Sequence, residues 1–132
     1  MIGLDTNVLV RYLVQDDPEQ SALAVEAIET RCTPAEPGFI SQIVLCELVW
    51  VLEQSYQQSR EQVASILEKL MKTSSFSFEN LPLVWRALQD YRAVAVDFAD
   101  AVIAQKHAEN GCATTLTFDK KAARLAAFTR LE

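Results

Sequence analysis

Apolar and polar positions along the chain alternate between two kinds of run: short blocks of β-type residues and longer stretches with helical spacing. Ile2-Gly3-Leu4 reads as a short buried strand, and Asp5-Thr6-Asn7 supply N-cap residues for a helix through Val8, Leu9, Tyr12 and Leu13. Asp17-Pro18 starts a second helix carrying Ala22, Val25, Ala27 and Ile28 at near-helical spacing, and the two prolines between Thr33 and Gly38 mark a loop. Gly38-Phe39-Ile40 is a second strand; Ser41 caps a long helix from Gln42 to about Gln57, and another helix runs from Arg60 to about Lys72. Phe76-Ser77-Phe78 alternates as a brief strand before a helix containing Leu81, Val84, Trp85, Leu88 and Tyr91. A helix from Asp97 to about Glu109 stops at Asn110-Gly111, Cys112 to Phe118 forms a β-branched strand, and Asp119 opens a last helix, KKAARLAAF. Leu131-Glu132 fit either a short closing strand or a cloning remnant.

Strands alternating with helices imply an α/β protein whose parallel sheet is covered on both faces. At 132 residues, with no repeat, linker or low-complexity tract, a single domain over residues 1–132 is expected. Half of the residues are apolar, which excludes disorder, and only three glycines and four prolines argue against a strand-rich sandwich. No stretch reaches the ~18 apolar residues of a membrane span and no basic segment precedes an apolar run, so a cytoplasmic location without membrane contact is the expectation.

The three cysteines, Cys32, Cys46 and Cys112, show no metal-ligand spacing and read as reduced, packed thiols. The lone histidine, His107, lies in QKHAEN, the solvated end of a helix, which leaves little basis for a serine–histidine triad or a histidine metal site. A net charge of −6 and a pI near 4.8 speak against non-specific nucleic-acid binding by the whole surface. What matters is where the carboxylates fall.

Four of them sit in unexpected places. Asp5 and Asp119 each follow a strand, at the carboxyl edge where open α/β sheets place ligands, although each is also a good N-cap. Glu47 lies in Ile43–Leu52, where nine of ten residues are apolar, and a buried carboxylate there needs a cation, a donor or a metal. Asp97 and Asp100 are one turn apart in VDFADAVIA; an aspartate version of a capping box accounts for Asp97 and less well for Asp100, which core-type residues surround. If Asp5, Glu47, Asp100 and Asp119 converge, mutual repulsion leaves several of them protonated or the pocket open unless divalent cations neutralise them, and oxygen-only ligation points to Mg²⁺ or Mn²⁺. Such clusters serve phosphodiester hydrolysis.

DTNVLV, SQIVLCELVWVL and DFADAVIAQKHAENGCATTLTFDKKAARL, in that order over nearly the whole chain, resemble the PIN-domain ribonucleases, in particular the toxins of VapBC toxin–antitoxin pairs. The resemblance implies a three-layer α/β/α sandwich with a short, mainly parallel central sheet. It puts the family's acidic residues on Asp5, Glu47, Asp100 and Asp119 as catalytic metal ligands, with Thr6, Asn7, Thr117 and Ser41 as small polar residues holding the site and Asp97 as a supporting or alternative acid. It further implies an Mg²⁺- or Mn²⁺-dependent endoribonuclease acting on structured RNA, a homodimer, and a cognate antitoxin as inhibitor. Arg11, Lys120, Lys121 and Arg124 lie near the two strand-end aspartates in sequence and are the candidate RNA contacts. Apolar faces such as Val49, Trp50 and Leu52 with Trp85 fit the core or a dimer seam, with the core as the expectation.

Two other classes fit part of the pattern. A doubly wound phosphatase would use the strand-one aspartate as nucleophile, but the position two residues on, where those enzymes place a second acid, is Asn7. A non-catalytic interaction domain would use the acids only as caps and salt bridges, and it predicts no metal dependence.

Overall fold

β1 (Ile2–Gly3) pairs in parallel with β2 (Gly38–Ile40), and β2 pairs in parallel with β3 (Phe76–Phe78), giving a sheet ordered β1-β2-β3. The computed structural model describes all residues from Met1 to Glu132, and this sheet belongs to the first of two compact units, residues 1–79 and 80–132. Parallel neighbours need crossover connections. α1 (Thr6–Val14) and α2 (Pro18–Arg31) make the first, and α3 (Gln42–Gln54) and α4 (Arg60–Met71) the second.

Local chemistry sets the start of each helix. Thr6 N donates to Asp5 Oδ1 at 2.7 Å, Gln20 N to Asp17 Oδ1 at 3.1 Å with Pro18 in the first turn, and Val44 N to Ser41 Oγ at 3.2 Å. Ser59 and Gln62 close a reciprocal capping box on α4. The buried stripe of α3 is Leu45, Leu48, Val49 and Leu52, each leucine contributing about 2 kcal/mol relative to exposure. A Cβ at Gly38 would meet Leu4 Cδ1 at 2.7 Å and Cys32 Sγ at 2.8 Å, so a larger residue there requires those side chains to shift.

In the second unit α5 (Leu81–Ala93) packs on α6 (Phe98–Glu109), with Tyr91 and Phe98 edge-to-face at 5.9 Å between ring centroids. Arg86 joins the helices through an ion pair with Glu109 and a 2.9 Å bond from Nε to Gln105 Oε1, so it is committed to structure. β4 (Thr115–Thr117) pairs in parallel with β5 (Phe128–Arg130).

The α/β class, the parallel pairing and ten of the twelve elements match the sequence pattern, with revisions. The strands divide between two sheets, β1-β2-β3 and β4-β5; ladders of two or three residues carry too few bonds for sequence alternation to decide which strands pair. KKAARLAAF is not an α-helix: only Ala122–Arg124 forms a 3-10 turn, after which Leu125 is extended (φ −82°, ψ 134°) and the chain enters β5. The closing strand is Phe128–Arg130, one step before Leu131-Glu132. α3 stops at Gln54, short of the expected end near Gln57. Trp50, expected in the core, is 62% exposed, and Cys112, expected to be packed, is also exposed. No helix is long and apolar enough to cross a membrane.

Candidate functional site

The start of α6 holds the densest group of carboxylates. Asp97 has the extended backbone of an N-cap (φ −70°, ψ 143°), yet its side chain makes no capping bond, so the capping box expected for Asp97 and Asp100 is absent and neither carboxylate is used that way. The three-residue spacing places both on one helix face. Asp119 arrives from the end of β4: its Oδ1 accepts from Lys121 N at 2.8 Å and Ala122 N at 3.3 Å, while its own N–H donates to Thr117 Oγ1 at 2.9 Å. Asp119 is thus a cap with one carboxylate oxygen to spare, and Thr117 orients it.

One carboxylate oxygen from each of Asp97, Asp100 and Asp119 lies within 4.8 Å of the others. Oxygens bonded to a single hard cation at about 2.0–2.4 Å can lie no more than about 4.8 Å apart, so the spacing fits such an ion. Asp100 is half-buried. Burial, then the charge of Asp119, then that of Asp97, push its carboxyl pKa up. The donor set is oxygen only, which suits Mg²⁺ or Mn²⁺.

The first unit holds the other two acids. Asp5 caps α1, and Thr6 Oγ1 donates to Glu47 Oε1 at 2.7 Å, fixing a carboxylate 41 residues away. Both acids line a surface cavity of ≈ 390 Å³ together with Thr6, Asn7, Arg11 and Tyr56. Glu47 is exposed, which corrects its reading as a residue enclosed by apolar neighbours. Helical spacing is the reason: Ile43, Glu47 and Trp50 form an outward stripe of α3, opposite the buried leucines, and two large apolar residues on that stripe disguise it in the sequence. Beside Glu47, burial and then the Glu47 charge push the Cys46 thiol up to about 11, so it stays protonated at neutral pH.

No arginine or lysine forms an ion pair with Asp5, Glu47, Asp97, Asp100 or Asp119. The salt-bridge explanation for these acids therefore fails, while the capping one holds for Asp5 and Asp119. Of the supporting residues, Thr6 and Thr117 each hold an acid, Asn7 lines the Asp5 cavity, and Ser41 serves as the α3 cap. Among the basic candidates, Lys120 and Lys121 are exposed, Arg124 donates to Ala95 O at 2.8 Å, and Arg11 is held by Gln20 and Asp16. Asp97, expected as a supporting or alternative acid, stands in the same group as Asp100 and Asp119, and the Asp-x-x-Asp spacing is the signal in the sequence. The sequence holds no signal for Tyr56, whose link to Asp16 spans 40 residues.

A VapC ribonuclease of Aquifex aeolicus (strain VF5) is 25% identical over 122 residues, which is 92% of this chain and 90% of that protein. The PIN-domain family profile matches residues 2–128, from the first strand through the start of the last, and with that span covered the chain belongs to the PIN-domain family.

Proposed function

We propose that this chain is a metal-dependent endoribonuclease, the toxin of a toxin–antitoxin pair, hydrolysing RNA phosphodiester bonds with Mg²⁺ or Mn²⁺ held by carboxylates. PIN membership and the likeness to a VapC ribonuclease support the activity. The observation that carries the metal dependence is the group Asp97, Asp100 and Asp119, unpaired with any cation and spaced for one. In this reading residues 1–132 are one PIN domain, with Asp5 and Glu47 of the first unit and Asp100 and Asp119 of the second as its catalytic acids.

The residues divide the work. Asp5 and Asp119 each give one oxygen to backbone N–H groups, which holds the second oxygen in a set direction. Thr6 occupies Glu47 Oε1 and leaves Oε2 to accept a proton from water. Asp97, Asp100 and Asp119 would hold the hard cation, and Asp100, whose pKa burial and its acidic neighbours raise, would take it in exchange for a proton. When bound, that cation neutralises the cluster and supplies charge stabilisation for an in-line displacement, in which water forms the new P–O bond as the bond to the leaving ribose oxygen breaks. RNA is the substrate, a cognate antitoxin and a second copy of the chain are the expected partners, and Lys120 and Lys121 are the exposed basic candidates for backbone contact.

The test is direct. Protein freed of any partner cleaves RNA with Mg²⁺ or Mn²⁺, stops with chelator, and loses cleavage in Asp5→Asn at an unchanged melting temperature. Cleavage that persists in chelator or in that variant refutes the assignment.

A further inference from the structure

Arg11 is the only cation lining the Asp5–Glu47 cavity, and it does not sit there loosely. Its Nε donates to Gln20 Oε1 at 2.8 Å and its Nη1 to Asp16 Oδ1 at 3.0 Å. The other oxygen of Asp16 accepts the Tyr56 hydroxyl at 2.8 Å, so both carboxylate oxygens are occupied. Tyr56 lies just beyond α3 and lines the same cavity. Three segments, the body and end of α1, the start of α2 and the chain after α3, thus converge on one guanidinium.

A surface ion pair alone contributes little to stability and needs no third and fourth partner. A guanidinium has five N–H groups, and the two bonds found here leave three of them on Nη1 and Nη2. With Nε and Nη1 anchored, the rotamer entropy that a free arginine loses on binding has already been spent in folding. A planar donor pair of that kind matches two oxygens of a phosphate. In a chain of net charge −6, a fixed cation beside two unpaired carboxylates is what allows a polyanion to approach.

We propose that Arg11 is a phosphate clamp for the RNA strand entering the Asp5–Glu47 cavity, and that Asp16, Tyr56 and Gln20 are positioning residues that hold its guanidinium. The clamp rests on the ribonuclease reading for its biological substrate, and its test is a binding measurement that does not depend on cleavage. Affinity for unfractionated transfer RNA is measured by fluorescence anisotropy in chelator across a salt series, for the parent and for Arg11→Ala, Arg11→Lys, Tyr56→Phe and Arg31→Ala. Arg31 is an exposed residue at the end of α2 and controls for loss of one charge.

Arg11→Ala weakens binding about tenfold and lowers the slope of log affinity against log salt by about 0.7, the loss of one phosphate contact on a single strand. Arg11→Lys keeps the slope but weakens binding about threefold, because the charge stays and the fork is lost. Tyr56→Phe weakens binding about threefold and adds nothing on top of Arg11→Ala, since it acts through Arg11. Arg31→Ala changes neither quantity. An unchanged slope in Arg11→Ala, or an equal change in Arg31→Ala, overturns the clamp; a Tyr56→Phe effect that adds fully to Arg11→Ala overturns the positioning role. With Mg²⁺ present, the Arg11 and Tyr56 variants raise KM in parallel with their loss of affinity and change kcat less than KM, while Arg31→Ala changes neither. Absence of cleavage by the parent refutes the nuclease reading while leaving the binding result to stand.

Discussion

The two acidic regions of this protein are built on opposite principles. At the start of α6, Asp97, Asp100 and Asp119 face one another with no basic partner, and burial first, then the charges of Asp119 and Asp97, raise the pKa of Asp100. In the Asp5–Glu47 cavity each acid has a donor: a backbone N–H for Asp5 and the Thr6 hydroxyl for Glu47, with Arg11 fixed nearby. The first region is electrostatically unfinished and gains most from an added cation. The second carries its own donors, and its chemistry depends on how they orient two carboxylates.

The largest effect should follow from Asp100→Asn. Cleavage falls by about three orders of magnitude, since a charged ligand for the cation is lost. The metal-free melting temperature stays the same or rises, because the substitution removes a carboxylate held at a raised pKa. Mg²⁺ raises the melting temperature of the parent and not of the variant; a melting temperature of Asp100→Asn that still responds to Mg²⁺ would move the cation site elsewhere.

Asp97→Asn comes next. Its side chain caps nothing, so the stability of α6 is unchanged, while the Mg²⁺ concentration for half-maximal cleavage rises about tenfold to a hundredfold. A drop in stability with no change in the metal requirement would make Asp97 a structural residue after all. In the other region, Thr6→Val lowers kcat about tenfold by releasing Glu47, and Thr6→Ser recovers most of it. No recovery by serine would show that the methyl group, and not the hydroxyl, is what matters.

The smallest effect concerns pH. The Tyr56 hydroxyl first, and then the charge and hydrogen bond of Arg11, hold the Asp16 carboxyl below its ordinary value. Stability from this network is present above the unfolded pKa of aspartate, about 3.9, and is lost as pH falls through the lower folded value. Acid melts of Tyr56→Phe should therefore show a slightly shallower loss of stability in that window than the parent. Identical acid limbs would mean that the hydrogen bond is not maintained in solution.

Much of the fold was legible because local rules produced it. Helix starts at Asp5, Asp17, Ser41 and Ser59 follow from capping chemistry within three or four residues, and β2 and β3 from short apolar blocks. The last helix was misjudged because KKAARLAAF has helical composition, whereas Phe128 is drawn into pairing with β4. Composition could not report that contact. Apolar neighbours suggest that Glu47 is enclosed, whereas it is exposed and accepts from the Thr6 hydroxyl, because helical spacing turns it outward with Ile43 and Trp50.

By itself the sequence determined which residues could carry chemistry and where most helices begin, since both depend on side-chain type and neighbours within one turn. Tertiary structure decided which oxygen atoms meet: Thr6 with Glu47 across 41 residues, Tyr56 with Asp16 across 40, and Asp119 with the Asp97–Asp100 pair. Carboxylates interact over a few ångströms of space irrespective of their separation along the chain, and that distance exists only once the helices have packed.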